Sequence, residues 1–424
     1  MEFENGKEKK IVKDDRLVYS YSQYDQKWAI LSIASIPLVM TLGNSMLIPV
    51  LPTIEKELHI SSFQSSLIIT VYSVIAIIFI PIAGYLSDKW GRKVIIIPSL
   101  IIAGIGGLLA GWASIQLKNA YFIILIGRML QGIGASGAFP IVLPLVGDMF
   151  KSEKDVSSTL GIIETSNTLG KVLSPILGAL LASLYWFIPF FSFPVFCFIS
   201  ILLMIIFVKS PKRKEHNISF HEFIHKVKTT FRREGRWLVS IFFIGGILMF
   251  ILFGLLFYLS STLEVRFKIN DLNKGFILAI PLGALCLSSY LTGKKIQENK
   301  VLMKWVSVIG ISILSVSSFM LSLSDQLWFL ISIFIFSGIG IGVCLPCLDA
   351  LITEGIDKDE RGTVTSLYSS MRFVGVAAGP PVIALMMKNS LFIFYLITAL
   401  GVLTLFICFI GIKPENDRRI NNNM

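Results

Sequence analysis

Residues 64–114 read QSSLIITVYSVIAIIFIPIAGYL, then SDKWGRK, then VIIIPSLIIAGIGGLLAGWAS. Two apolar stretches flank a short charged joint. A helix needs about 20 apolar residues to cross the hydrocarbon core of a bilayer, so each stretch is long enough to span. The joint is too short to form anything but a reversal. The reading is a pair of antiparallel spanning helices.

The same pattern runs through the whole chain. Of 424 residues, 54% are apolar and 15% charged, against about 25% charged in an ordinary soluble chain. The spans fall at roughly 28–50, 64–86, 94–114, 121–149, 158–183, 187–208, 237–262, 274–293, 301–322, 327–351, 363–387 and 391–412. Twelve spans define an all-α integral membrane protein with both termini on one side.

Basic residues set the orientation, because Lys and Arg collect in cytoplasmic loops. Twenty-nine of them lie in the two tails and in the loops at 87–93, 150–157, 209–236, 294–304 and 357–361. The opposite loops hold six: Lys56, Lys118, Arg266, Lys268, Lys274 and Lys388. The richer side is read as cytoplasmic, and the net charge of +11 as a topology signal, with no nucleic-acid partner. The chain then divides into a tail (1–27), six helices (28–208), a basic linker (209–236), six helices (237–412) and a second tail (413–424). In the linker, Phe220, Phe223, Ile224, Val227 and Phe231 share one helical face. This suggests an amphipathic helix on the membrane surface, with a mobile tether as the alternative.

The halves echo each other. Tyr85-Leu86-Ser87-Asp88-Lys89 resembles Tyr290-Leu291-Thr292-Gly293-Lys294, and Gly170 and Pro175 match Gly375 and Pro380, all at an offset of 205 residues. One shared offset in two regions points to duplication.

Four short motifs occur in order. The joint gives Gly84, Asp88, Gly91, Arg92 and Lys93. The first span ends Leu42-Gly43-Asn44 and continues to Pro49 and Pro52. The fourth span carries Arg128, Gln131, Gly132, Gly134 and Ala135. The fifth carries Gly161, Gly170, Ser174, Pro175, Gly178 and Ala179. Together they resemble the twelve-helix drug/proton antiporters of the major facilitator superfamily. Ser174 and Ala179 depart from that pattern, which has Gly at both positions.

The resemblance implies two pseudo-symmetric six-helix bundles, the major facilitator fold, in a bacterial plasma membrane. It implies proton-coupled export of a small amphipathic drug or metabolite by alternating access, in a monomer. Asp88 and its neighbours would form a gating latch. The fifth-helix motif would pack against its equivalent in the other half, at Gly375, Gly379 and Pro380. A lipid or glycolipid flippase of the same fold is the alternative.

Ionisable residues inside apolar spans are costly unless paired or wet, and they mark the site. Arg128, Glu164, Lys171 and Arg372 are the deep ones. Asp148 and Asp349 lie nearer the cytoplasmic ends. At about 1.5 Å per residue, Lys171 sits about 20 Å from the cytoplasmic face and Glu164 about 10 Å. Glu164 and Lys171 fall on nearly the same helix face, close enough for their side chains or a bridging water to join them. Burial and basic neighbours pull a carboxyl's proton affinity in opposite senses, so Glu164 is the first proton-coupling candidate, ahead of Asp148 and Arg128. The four deep groups sum to +2, a sign that favours an anionic or zwitterionic amphiphile as cargo. Asn44 and Asn167 complete the expected cavity lining.

No cofactor is expected, since no phosphate-binding Walker loop is present. Cys344 and Cys347 form a CxxC with no second ligand pair. His221-Glu222-Phe223-Ile224-His225 matches the HExxH pattern of zinc peptidases. Its basic linker, with only His216 nearby, offers no dry cleft for a metal. A membrane metalloprotease is therefore a distant alternative, and the chain is read as a transporter rather than an enzyme.

Overall fold

The computed structural model describes residues 12–13, 16–17, 23–117, 119–150, 153–209, 220–269, 271–296, 299–356 and 358–412. Apart from a two-residue pairing of Val12–Lys13 with Arg16–Leu17, these residues form helices and their connections. The first half holds α1 (Gln23–Ser45), α2 (Leu51–Leu58), α3 (Ser62–Trp90), α4 (Arg92–Gln116), α5 (Ala120–Met149), α6 (Glu153–Ala182) and α7 (Ile188–Phe207). The second holds α8 (Phe220–Val265), α9 (Asp271–Ile296), α10 (Lys300–Met320), α11 (Leu327–Gly355), α12 (Lys358–Met386) and α13 (Ser390–Gly411).

Among the described residues, eleven helices are long and apolar enough to span a membrane. The twelfth expected span is α6. It has the length, 30 residues, but Glu164, Asn167 and Lys171 make it too polar to qualify on composition. It is nevertheless packed into the bundle, against α1 and α9.

The expected first span at 28–50 is reshaped. The regular helix stops at Ser45, and a 3-10 turn over Ile48–Val50 leads into α2. Pro49 and Pro52 explain the break, since neither has an N–H for the helix ladder. Glu55 of α2 then accepts the hydroxyls of Ser62 and Ser65 at 2.7 and 2.5 Å. A capping box between Ser61 and Gln64 starts α3, so two backbone donors at its N-terminus are satisfied at once.

The charged joint is tighter than a loop. One residue, Gly91, separates α3 from α4, at φ 104° and ψ 148°, a conformation in which a side chain is strained. In the linker, α8 begins at Phe220 and is broken at Gly235, with φ 54° and ψ −127°. A helical stretch therefore precedes the span. Its side chains through Val227 lie outside the described ones, including His221, Glu222 and His225; His216 lies outside the described residues altogether.

The duplication has a physical counterpart. A methyl group on Gly170 would come within 3.1 Å of Thr41 Cβ, and one on Gly375 would press on the Gly246 carbonyl. Thr41 and Gly246 are themselves 205 apart. Small residues let backbones approach, and here the same contact recurs in each half: α6 on α1, α12 on α8.

That pairing corrects one expectation. The α6 motif does not face α12 across the halves. Its partner there is α9, where Gly275 sits against the Pro175 carbonyl and Ala179. Gly375 and Gly379 pack on α8 in their own half. Across the halves, α12 packs on α3, where Thr70 donates to the Ala377 carbonyl at 2.7 Å.

The halves meet at the end remote from the linker. Ser260 donates to the Ile48 carbonyl at 3.0 Å. One continuous apolar cluster joins Leu47, Ile48, Leu51 and Ile68 to Leu252, Leu256 and Leu259. Glu264 bonds both Lys56 and Lys274. Lys274, expected in a loop, lies inside α9 and is fully buried. A cluster of one carboxylate and two ammoniums thus ties α2 to α8 and α9.

Toward the linker the seam between α6 and α9 widens. Gly275 of α9 presses on the Pro175 carbonyl of α6, whereas a Cβ on Gly161, Gly283 or Gly293 would meet nothing within 4 Å. The molecule is sealed at the remote end and parted at the linker end.

Two outcomes follow. Gly178→Val, which presses on the Met46 carbonyl of the same half, should lower the melting temperature of the purified protein by at least ~2 °C, from overpacking of about 1–3 kcal/mol, while Gly161→Val leaves it unchanged. Glu264→Gln should speed amide hydrogen exchange at 48–58 and 258–264, with α4 and α5 unaffected.

Candidate functional site

Arg128 of α5 is completely buried. Its Nε donates to the Ile68 carbonyl at 2.8 Å. Its two terminal nitrogens reach the Gly43 carbonyl at 3.1 Å, Gln131 Oε1 at 2.6 Å and Asn44 Oδ1 at 2.7 Å. The guanidinium also lies 4.5 Å from the centre of the Tyr72 ring. The planar fork suits this, since Arg presents five donors in a rigid array. The sequence supplied the parts: Gly43-Asn44 at the end of α1, and Gln131 one turn from Arg128. Tyr72 carried no signal within its apolar run.

A second line runs along α6. Thr41 of α1 donates to Asn167 Oδ1 at 2.6 Å. Asn167 Nδ2 donates in turn to the two carboxylate oxygens of Glu164 at 3.2 and 3.3 Å. Glu164 is half-buried and Asn167 buried. One turn further on, Lys171 is 6% exposed, and its Nζ has no hydrogen-bond partner. Glu164 and Lys171 therefore do not meet, as their spacing had allowed.

The second half contributes a pair that was not anticipated. Arg372 of α12 donates to Asp349 of α11 at 3.3 Å. Its guanidinium lies 5.7 Å from the Tyr368 ring centre. Tyr368 is buried, with its hydroxyl unbonded. With Asp349 counted, the deep groups are three cations and two carboxylates. The expected sum of +2 becomes +1, because Asp349 had been placed too near the helix end to be included.

The two sets adjoin. Tyr72 and Phe373 are in ring contact at 6.3 Å, and Lys171 feels Arg372, Glu164 and Asp349 electrostatically. A small pocket opens beside Lys171, lined by Ser45, Pro175, Leu252, Leu256, Leu278 and Leu282 among others.

The joint residues form a separate cluster at the linker end. Arg92 bonds Asp88 at 2.7 Å, Asp148 at 3.3 Å and the Ser87 hydroxyl at 2.7 Å. Asp148 thus stands with the joint and not with Glu164. Lys93 donates to the Val208 carbonyl at 2.6 Å and so caps the end of α7, where exposed carbonyls favour a cation. Gly84 is half-buried, with open space where a side chain would stand. Four of the five cysteines are buried and Cys286 is half-buried. No metal-binding group of three or more His, Cys, Asp or Glu side chains occurs among the described residues.

Comparison with known proteins agrees with this architecture. The Major Facilitator Superfamily model matches residues 33–380 and 302–423. A bacillibactin exporter of Bacillus subtilis (strain 168) is 53% identical over 395 residues, which covers 93% of this chain and 98% of that protein. A class B tetracycline resistance protein of Escherichia coli is 25% identical over 379 residues, covering 85% of this chain and 90% of that one. A crystal structure of a human organic anion transporter matches in fold, with a TM-score of 0.72 at 18% identity over 90% of this chain and 99% of that one. The twelve-helix duplicated architecture and the family match agree: this chain belongs to the Major Facilitator Superfamily and is a membrane transporter.

Proposed function

We propose that the protein exports bacillibactin, or a small metabolite closely similar to it, from a bacterial cell in exchange for protons. The observation that carries this reading is the 53% identity with a bacillibactin exporter over nearly the full length of both chains. The excess of Lys and Arg on the linker side supports a cytoplasmic location for that side and both tails. The parted end then faces the cytoplasm, the side from which an exporter loads. One chain contains the whole pathway, so a monomer suffices.

The geometry supports a rocking mechanism. In the loading state, the cluster of Lys56, Glu264 and Lys274 and the apolar cluster hold the outer end closed. On reversal, the outer contacts part and the linker ends meet, where Asp88, Arg92 and Asp148 serve as the latch. Gly161 has the room that such an approach needs.

Glu164 is the proton carrier in this reading. Asn167 offers its amide donors to the carboxylate, and its own carbonyl is held by Thr41. An ionised carboxylate accepts both contacts, whereas a protonated one gains a donor and loses acceptor capacity. Protonation therefore acts, through Asn167, on the contact between α6 and α1. The test is proton release from inverted vesicles under an imposed pH gradient when bacillibactin is added. Wild-type protein should release protons with cargo uptake, and Glu164→Gln should cut that release by about 100-fold or more, the lower range for loss of a proton-transferring group. Undiminished release in Glu164→Gln would move the carrier elsewhere; no release in wild type would sink the antiport.

A further inference from the structure

Among the described residues, Arg128, Lys171 and Arg372 are the cations deep in the membrane-spanning helices, and two of the three are satisfied. Arg128 has three oxygen acceptors besides Gln131 and the face of Tyr72. Arg372 has Asp349. Lys171 differs. Its ammonium is buried without a hydrogen-bond partner, and it is the only charged residue lining its pocket. Apart from Ser45 and Lys171, the pocket walls are Ile48, Pro175, Leu252, Phe253, Leu256, Leu278 and Leu282.

A buried charge without a partner costs several kcal/mol. Ligand sites are typically apolar clefts with a few placed polar groups, and this pocket has that composition. A neutral cargo would leave the ammonium unanswered, and a cation would be repelled by it and by Arg372 beyond. An anion on an apolar body satisfies both the amine and the walls.

We infer that Lys171 and this pocket form the subsite that receives the anionic group of the cargo, a carboxylate, phenolate or sulfonate carried on an aromatic or aliphatic body. The inference rests on reading the chain as an exporter and names the class of molecule it takes. The same chemistry occurs in soluble aromatic acids and in anionic lipids, so the test separates them.

The probes are 1-anilinonaphthalene-8-sulfonate and N-phenyl-1-naphthylamine, which share an aromatic frame and differ by the sulfonate. Both are titrated by fluorescence against protein in nanodiscs of zwitterionic lipid. Wild type should bind the anion more tightly than the neutral probe. Lys171→Met should weaken the anion by about tenfold or more, the range for a hydrogen bond to a charged group. The neutral probe should bind as before, which also reports that the variant is folded. Lys171→Arg should retain anion binding. Equal anion binding by wild type and Lys171→Met overturns the subsite, and Lys171→Gln repeats the comparison if the Met variant does not fold. Displacement of the anion by phosphatidylglycerol but not by bacillibactin also overturns it, assigning the pocket to lipid. Lys171-dependent anion binding in a protein that fails to move bacillibactin leaves the subsite standing and removes the proposed export.

Discussion

A guanidinium cannot sit inside a bilayer without partners, and Arg128 is enclosed completely. Its donors are met by Ile68 on α3 and by Gly43 and Asn44 on α1, all from α5. Three helices of the first bundle are thus fixed to one another by a single side chain. Any rocking of the halves must leave this web intact, since pulling one acceptor away would strand a buried charge. The bundle moves as a unit because Arg128 requires it. The other internal charges follow the same rule on a smaller scale, with Arg372 on Asp349 and with Glu264 between two lysines.

The repeated hydrophobic runs and the bias of basic residues were enough to read twelve helices and their grouping, and the four short motifs carried the resemblance to a transporter family. What failed has physical reasons. A motif names residues without saying which helix they touch, so the partner of α6 was assigned by resemblance to α12 instead of α9. A lysine near the end of a span looks like a loop residue, yet Lys274 is buried because Glu264 waits on the neighbouring helix. Asp349 lies 23 residues before Arg372, and nothing in their spacing announces the pair. The candidate residues themselves came from sequence, because a charge in an apolar run is conspicuous. Their connections did not, because hydrogen bonds between helices leave no local periodicity.

Glycine placement divides the seam between the halves into two regimes. At the sealed end, Gly275 presses on the Pro175 carbonyl across the seam; nearer the linker, Gly161, Gly283 and Gly293 face open space. Packed interfaces tend to have discrete arrangements and not a continuous range. Small residues at both ends of one seam let either end close without a side chain in the way. Pro175 stands between the two regimes on α6, where a missing hydrogen bond makes bending inexpensive.

The polarity of α6 has a consequence for how the protein is made. Each of the other spans is apolar enough to partition into lipid as it leaves the insertion machinery, at a cost set by its own residues. A helix that carries Glu164, Asn167 and Lys171 gains little by entering lipid alone. Asn167 finds its partner on α1, already synthesised, but the wall opposite Lys171 is formed by Leu252, Phe253 and Leu256 of α8 and by Leu278 and Leu282 of α9, translated 81 or more residues later. The residues suited to cargo therefore make α6 the span whose membrane residence depends on its neighbours, and assembly of the second bundle completes the integration of the first.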